Sequence, residues 1–236
     1  MLMTLKCISA LLSYPSEDLQ AAIGDIGSAL RSEGLLDQTA QNNLEPLLEW
    51  LGSADLYEQQ ESFVHLFDRS RTLSLNLFEH VHGESRDRGG AMVDLVETYR
   101  DGGFEPATSE LPDHLPVLLE FLATRPLREA KETLADAAHI FEVLQTRLER
   151  RKSKYAAVFA GLLLLSGLSD NDEVVARMLG EEDDNPDDLD ALDAVWEEAQ
   201  VAFGPDPDAG CPQVRDMLAS MDTPVNPAPV SPARAV

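Results

Sequence analysis

LADAAHIFEVLQTRL, residues 134–148, decides the fold. Leu134, Ala138, Phe141, Leu144 and Leu148 recur at spacings of three and four. They therefore share one face of an α-helix and do not alternate as strand residues would. The same spacing returns in both directions. Upstream it appears in Leu5, Ile8 and Leu12, in Leu19, Ala22, Ile23, Ile26 and Leu30, and in Leu44, Leu47, Leu48 and Leu51. Leu56, Phe63, Leu66 and Phe67 follow, then Met92, Leu95, Val96 and Tyr99, then Leu115, Leu118, Leu119 and Leu122. Downstream lie Tyr155, Val158, Phe159, Leu162 and Leu163, and last Leu189, Leu192, Trp196, Ala199 and Phe203. No run of strict alternation asks for a strand.

The punctuation agrees. Ser16 is placed to cap a helix start. Gly34, Gly52, Gly102-Gly103 and Gly167 fall where helices should stop, and Pro112, Pro116 and Pro126 mark ends or first turns. The expected architecture is all-α: a single bundle of roughly eight or more helices over residues 1–203. Residues 204–236 carry half of the fourteen prolines and little apolar periodicity, and read as a flexible, Pro-rich C-terminal tail. Between them, Asp170 to Glu198 hold thirteen acidic residues against one basic, with Glu181 to Asp188 reading as a solvated loop.

The chain has 236 residues, of which 44% are apolar, enough to bury a sizeable core. Its 43 acidic residues against 18 basic give a formal net charge of -25. That balance argues against duplex nucleic acid as a main partner, which needs clustered cations, and disfavours an anionic membrane surface. It suits a basic peptide partner, although it would also serve solubility alone. Cys7 and Cys211 form neither a CxxC nor a zinc spacing, which fits a reducing compartment. The longest apolar run, 156–165, is too short to span a bilayer. A soluble, cytoplasmic protein is expected.

One region breaks the helical rule: LFDRSRTLSLNLFEHVHGESRDRGGAMVDL, residues 66–95, followed by ELPDHLP, residues 110–116. It is polar, charged and irregular. Glu79, His80, His82 and Glu84 are metal-ligating types, but residues two apart on a helix point in opposite directions. Glu110, Asp113 and His114 could orient a general base, yet no nucleophile motif accompanies them, and Ser85 lacks the elbow frame. Arg86, Arg88 and Gly89-Gly90 precede a helix, where anions can bind, but neither a Walker A nor a G-x-G-x-x-G is present. A groove between helices, rimmed by Asp and Glu, would instead take a basic amphipathic segment. Of these readings, peptide binding agrees best with the charge.

The same residues resemble a known family. Leu66–Arg69, the run Ser74–Gly89 containing FEHVHGESRDRG, then Ala91–Leu95 and Glu110–Pro116 are similar to the NarJ-type molybdenum cofactor assembly chaperones, also called the nitrate reductase delta subunit family. Ala191–Glu198 resembles their late helix. The likeness runs with gaps from the first helix to about Phe203. It implies an all-helical redox-enzyme maturation protein and not an enzyme. The implied partner is the apo catalytic (alpha) subunit of respiratory nitrate reductase, held by its N-terminal segment while molybdopterin guanine dinucleotide is inserted. That cofactor is handled in the client and not bound stably by the chaperone. Molybdenum cofactor biosynthesis proteins are admitted as further partners, and the chaperone leaves before the finished enzyme forms.

The resemblance also suggests client contacts. Glu110, Pro112, Asp113 and His114 match an acid–Pro–Asp–His signature, with a more compact spacing. Asp68, Arg69, Glu79, His80, His82, Glu84 and Arg86 lie in the matched motif, and Tyr57, Phe67 and Phe78 are apolar candidates. The rival reading is a nucleotide-binding or metal-dependent enzyme using Arg86, Arg88, His80 and His82.

Overall fold

The computed structural model describes residues 1–82, 86–167 and 172–180, apart from the side chains of residues 82 and 86. All of these belong to one compact unit, Met1–Leu189. The stripe over 189–203, the acidic segment 181–188, the boundary at 203/204 and the tail lie outside the described residues.

Eleven α-helices are found among the described residues: α1 (Met3–Leu11), α2 (Glu17–Glu33), α3 (Gln38–Ser53), α4 (Leu56–Phe63), α5 (Leu77–His82), α6 (Arg86–Asp101), α7 (Leu115–Ala123), α8 (Leu127–Asp136), α9 (Ala138–Arg150), α10 (Ala156–Ser166) and α11 (Asp172–Gly180). A π turn, Val64–Asp68, and a 3-10 turn, Arg71–Leu73, link α4 to α5. No strand occurs among the described residues, where one isolated antiparallel bridge pairs Asn76 with His114.

The stripe from Leu134 to Leu148 is not one helix. α8 ends at Asp136 and α9 begins at Ala138, and Ala137 between them has φ -97 and ψ 2. The Ala137 N–H reaches the Leu134 carbonyl at 3.1 Å, and the Ile140 N–H reaches the Ala137 carbonyl at 3.0 Å. Both are i→i+3 bonds, a tightening that a residue with no special backbone preference can make. Ser16 does cap α2, accepting from the Leu19 N–H.

α10 is apolar around most of its surface and is correspondingly buried, packing against α3, α8 and α9. Tyr155 at its start sits 5.2 Å from the Phe67 ring, 6.2 Å from Phe63 and 6.3 Å from Trp50. This aromatic knot ties the π turn to the core. α1 packs on α2 and α7, and the Ser9 hydroxyl donates to the Pro116 carbonyl at 2.8 Å. The Glu33 carboxylate closes the start of α1 by accepting from the Met3 and Thr4 N–H groups. Burial acts to raise that carboxyl, but these hydrogen bonds and the Thr4 hydroxyl outweigh it and hold it below its ordinary value.

Candidate functional site

The irregular region folds into a corner where two connectors meet. Residues 74–78, leading into α5, lie beside residues 111–115, leading into α7. The Leu115 N–H donates to the Leu75 carbonyl at 2.8 Å, and the Leu77 N–H to the Asp113 carbonyl at 3.1 Å. Asp113 is fully buried. Its Oδ2 accepts from the Phe78 N–H at 3.0 Å, which closes the first turn of α5 from a distant part of the chain. Arg88 of α6 donates to Glu79 Oε1 at 3.0 Å and comes within 4.0 Å of Asp113 Oδ2. One arginine therefore joins the beginnings of α5 and α6 to the corner.

A second tether holds the other end of α6. Tyr99 is buried, and its hydroxyl donates to the Pro112 carbonyl at 2.7 Å. Its ring packs 4.9 Å from Phe121 and 5.5 Å from Phe104. Burial pushes the phenol well above its ordinary range, so it stays protonated and able to donate. Two glycines then reverse the chain. A Cβ on Gly102 would lie 2.5 Å from a Phe121 ring carbon, and Gly103 has φ +68, so both positions favour glycine.

The electrostatics follow from burial. Desolvation raises the Asp113 carboxyl, and the Phe78 N–H and Arg88 offset it only in part. Desolvation lowers His114 and keeps it neutral, although Glu110, Asp113 and Asp68 pull the other way. Asp68 is raised by desolvation first and by Glu110 second. The π turn thus brings Asp68 into one field with Glu110 and His114. Such turns recur at functional sites. Among the described residues, no group of three or more His, Cys, Asp or Glu is arranged to hold a metal ion.

The remaining predicted residues separate. Phe67 is core, 5.0 Å from Phe63 and next to Tyr155, so it supports the corner and does not face a partner. Tyr57 is 80% exposed on α4, Arg69 is exposed beyond the π turn, and Phe78 is half-buried. A ring nitrogen of His80 bonds to the Ser74 carbonyl at 2.8 Å, and Glu79 is engaged by Arg88. Glu84 and the side chains of His82 and Arg86 lie outside the described residues. Met92 and Leu95 of α6 are half-buried as their stripe predicts, but Val96 is 37% exposed.

Glu110 and Pro112 lie across the Gly102-Gly103 reversal from the last turns of α6. They line a groove of about 530 Å3 with Val96, Tyr99, Arg100 and Phe104. Its lining is mixed: Val96, Tyr99, Phe104 and the prolines are apolar, while exposed Glu105 and Glu110 bring carboxylates and exposed Arg100 a cation. Chemically this arrangement can receive an apolar side chain beside a cationic one.

The sequence reading missed Arg147, which is buried in α9. It donates to the Thr72 carbonyl at 2.9 Å and to the Met178 carbonyl at 2.6 Å, tying α9 to the 3-10 turn and to α11. The available signal was a lone charge between Leu144 and Leu148, on a face otherwise apolar.

The family model described as nitrate reductase delta subunit matches residues 33–161. The chain is 43% identical over 208 residues to the nitrate reductase molybdenum cofactor assembly chaperone NarJ of Escherichia coli strain K12, covering 87% of each. It is 31% identical over 163 residues to the probable chaperone of the same description from Bacillus subtilis, covering 68% of this chain and 86% of that one. Among solved structures, a putative redox enzyme maturation protein from Archaeoglobus fulgidus superposes with a TM-score of 0.50 at 25% identity, over 69% of this chain and 91% of that one.

Proposed function

The chain belongs to the nitrate reductase delta subunit family, and from that membership we propose that it is a system-specific chaperone of respiratory nitrate reductase. It binds the apo alpha subunit through an N-terminal segment, keeps it open for insertion of molybdopterin guanine dinucleotide, and is absent from the finished enzyme. It has no turnover of its own, acts in the cytoplasm, and handles the cofactor in its client. Molybdenum cofactor biosynthesis proteins are further partners in this reading.

The observation that carries it is the 43% identity spread over 87% of the chain, with both connectors of the corner inside that span. The geometry is compatible with the role. A groove that combines the apolar surface of Val96, Phe104 and Pro112 with the carboxylates of Glu105 and Glu110 suits an amphipathic basic segment that folds as it binds. Glu110 sets orientation at the mouth and Pro112 stiffens the wall. Asp113 and His114 hold the wall from behind. Arg88 lies beside Glu79 and Asp113, so it belongs to the chain's own scaffold and is not poised for a nucleotide.

Titration calorimetry with a peptide from the N-terminus of the cognate alpha subunit, at two salt concentrations, tests this. One-to-one binding that weakens with salt and with Glu110→Gln is expected. Absence of binding both to the peptide and to the whole apo subunit would overturn the reading.

A further inference from the structure

The corner groove carries charges of both signs, and its own chain pairs none of them. Arg100 stands in the last turn of α6, while Glu105 and Glu110 stand beyond the Gly102-Gly103 reversal. All three are exposed. No side-chain hydrogen bond or ion pair joins any of them to another described residue. The neighbouring arginines differ. Arg88 is engaged by Glu79 and Asp113, and Arg125 by the Gly102 carbonyl and the Phe121 ring.

Beside these charges the apolar surface is open. Val96 is 37% exposed, and Phe104, Pro106 and Pro112 are half-buried, so part of each faces solvent. Tyr99 is buried behind them and fixes the wall through its bond to the Pro112 carbonyl. A groove of about 530 Å3 therefore offers apolar contact, one cation and two carboxylates to a few incoming side chains. The cation matters because the chain as a whole carries a net charge of -25. That field attracts every basic segment alike, so attraction cannot choose among them. Discrimination needs a local repulsive element, and Arg100 supplies one inside the groove.

We propose that Arg100 is a specificity-determining residue of the corner groove, which takes a carboxylate of the client segment and turns away segments whose polar face is basic throughout. This role rests on the client-binding reading above and sharpens it. The segment that fits carries an acidic side chain within one or two helical turns of a basic one, at the border of an apolar face. Its base meets Glu105 and Glu110, its acid meets Arg100, and its apolar side chains lie on Val96, Phe104 and the prolines. A guanidinium can hold a carboxylate through two parallel N–H bonds, so the pair fixes the direction of the segment as well as its register.

The test uses the full chain and three 14-residue peptides with leucine at helical spacing, read by fluorescence anisotropy. One has lysine at every polar position. The second and third carry glutamate instead in the first or the last turn. One of the two mixed peptides should bind at least fivefold tighter than the all-lysine peptide, although its net charge is less favourable. Arg100→Gln should bring the two within twofold, Arg100→Glu should reverse their order, and Arg100→Lys should keep the order with a smaller margin. Arg128→Gln, which removes an exposed cation elsewhere, should leave the ranking as it is. Circular dichroism should show the fold retained in each variant, since Arg100 is exposed and bonds to nothing through its side chain. Tightest binding of the all-lysine peptide, a preference that survives in Arg100→Gln, or no binding of any peptide would overturn the proposal. So would a lowered urea midpoint with an unchanged ranking, because a cation in the last turn also favours the helix dipole. The peptide from the N-terminus of the cognate alpha subunit is titrated alongside. If it fails to bind while Arg100 still ranks the designed peptides, the client reading fails and the specificity of the groove stands. If it binds, weakens with Glu110→Gln and ignores Arg100→Gln, the specificity role fails and the client reading stands.

Discussion

α10 and α6 are both helices on this protein's surface-to-core axis, yet they are held in different ways. α10 has eleven residues, and Ala156, Val158, Phe159, Gly161, Leu162 and Leu165 are all buried. α6 has sixteen residues, and Tyr99 alone is fully buried along it among the described side chains. Apolar area holds α10, while α6 depends on two polar tethers, Arg88 to Glu79 and Tyr99 to Pro112. Cooperative stability is therefore concentrated around α8, α9 and α10. The corner groove lies along α6, where most side chains can change without emptying the core.

The largest effect should come from breaking the first kind of attachment. Phe159→Ala empties a fully buried site and should cost about 3–5 kcal/mol of unfolding free energy. Val93→Ala on α6, where the side chain is 58% exposed, should stay within about 0.5 kcal/mol. Urea unfolding of both variants measures the contrast. Similar losses would mean that α6 is buried against something beyond the described residues.

Next in size is the corner. Asp113→Ala leaves the Phe78 N–H without its acceptor and Arg88 beside one carboxylate fewer, and should cost about 1–3 kcal/mol. Asp113→Asn keeps an acceptor for the Phe78 N–H and should cost less. Affinity for the client peptide should fall in both variants in proportion to the loosening of α5, as hydrogen exchange at Phe78 and Glu79 would report. If Asp113→Ala lowered affinity with no change in exchange, Asp113 would have to touch the client directly.

The tether at the other end of α6 is worth less. Tyr99→Phe keeps the ring packing against Phe104 and Phe121 and loses the bond to Pro112. A loss of about 1 kcal/mol of unfolding free energy, read from urea unfolding, is expected.

These contrasts show which parts of the molecule the sequence could reveal. Helices with wide apolar stripes, such as those carrying Leu44 to Leu51 and Leu115 to Leu122, were legible because burial and periodicity coincide there. The break at Ala137 was not, since three-residue hydrogen bonding needs no special side chain. The exposure of Val96 was not, because a stripe shows which residues share a face and not whether another element covers it. In the corner, the motif brought Glu110 to His114 and Glu79 into one search. It could not show that Asp113 is a buried cap while Glu110 is an exposed mouth, since that distinction arises only when residues 74–78 lie beside 111–115. Arg147 escaped for a related reason: its partners are carbonyls of Thr72 and Met178, and carbonyls have no sequence signature.

The smallest predicted effect compares the two regions by their acid sensitivity, because each holds one half-buried histidine. His114 sits in the corner and His139 on α9, and desolvation lowers both from the ordinary value of 6.5. The folded chain then binds fewer protons than the unfolded chain between the lowered values and 6.5. Stability contributed by both histidines is complete above that window and is lost as pH falls through it. Asp113 works in the opposite sense. Its carboxyl is raised above the ordinary 3.8, so its contribution grows as pH falls toward that value. Glu33 is lowered below 4.5 and loses its contribution only under more acidic conditions. Below 6.5 the two histidines therefore act to lower the urea midpoint, against the opposite trend of Asp113. His114 faces the carboxylates of Glu110, Asp113 and Asp68, which resist its lowering, whereas His139 is opposed only by a backbone bond at Asp136. Substituting each in turn by glutamine separates the regions. If His139→Gln flattens the pH response more than His114→Gln, acid acts first on the packed bundle. If His114→Gln flattens it more, the corner loosens first, and client affinity should fall with it across the same window.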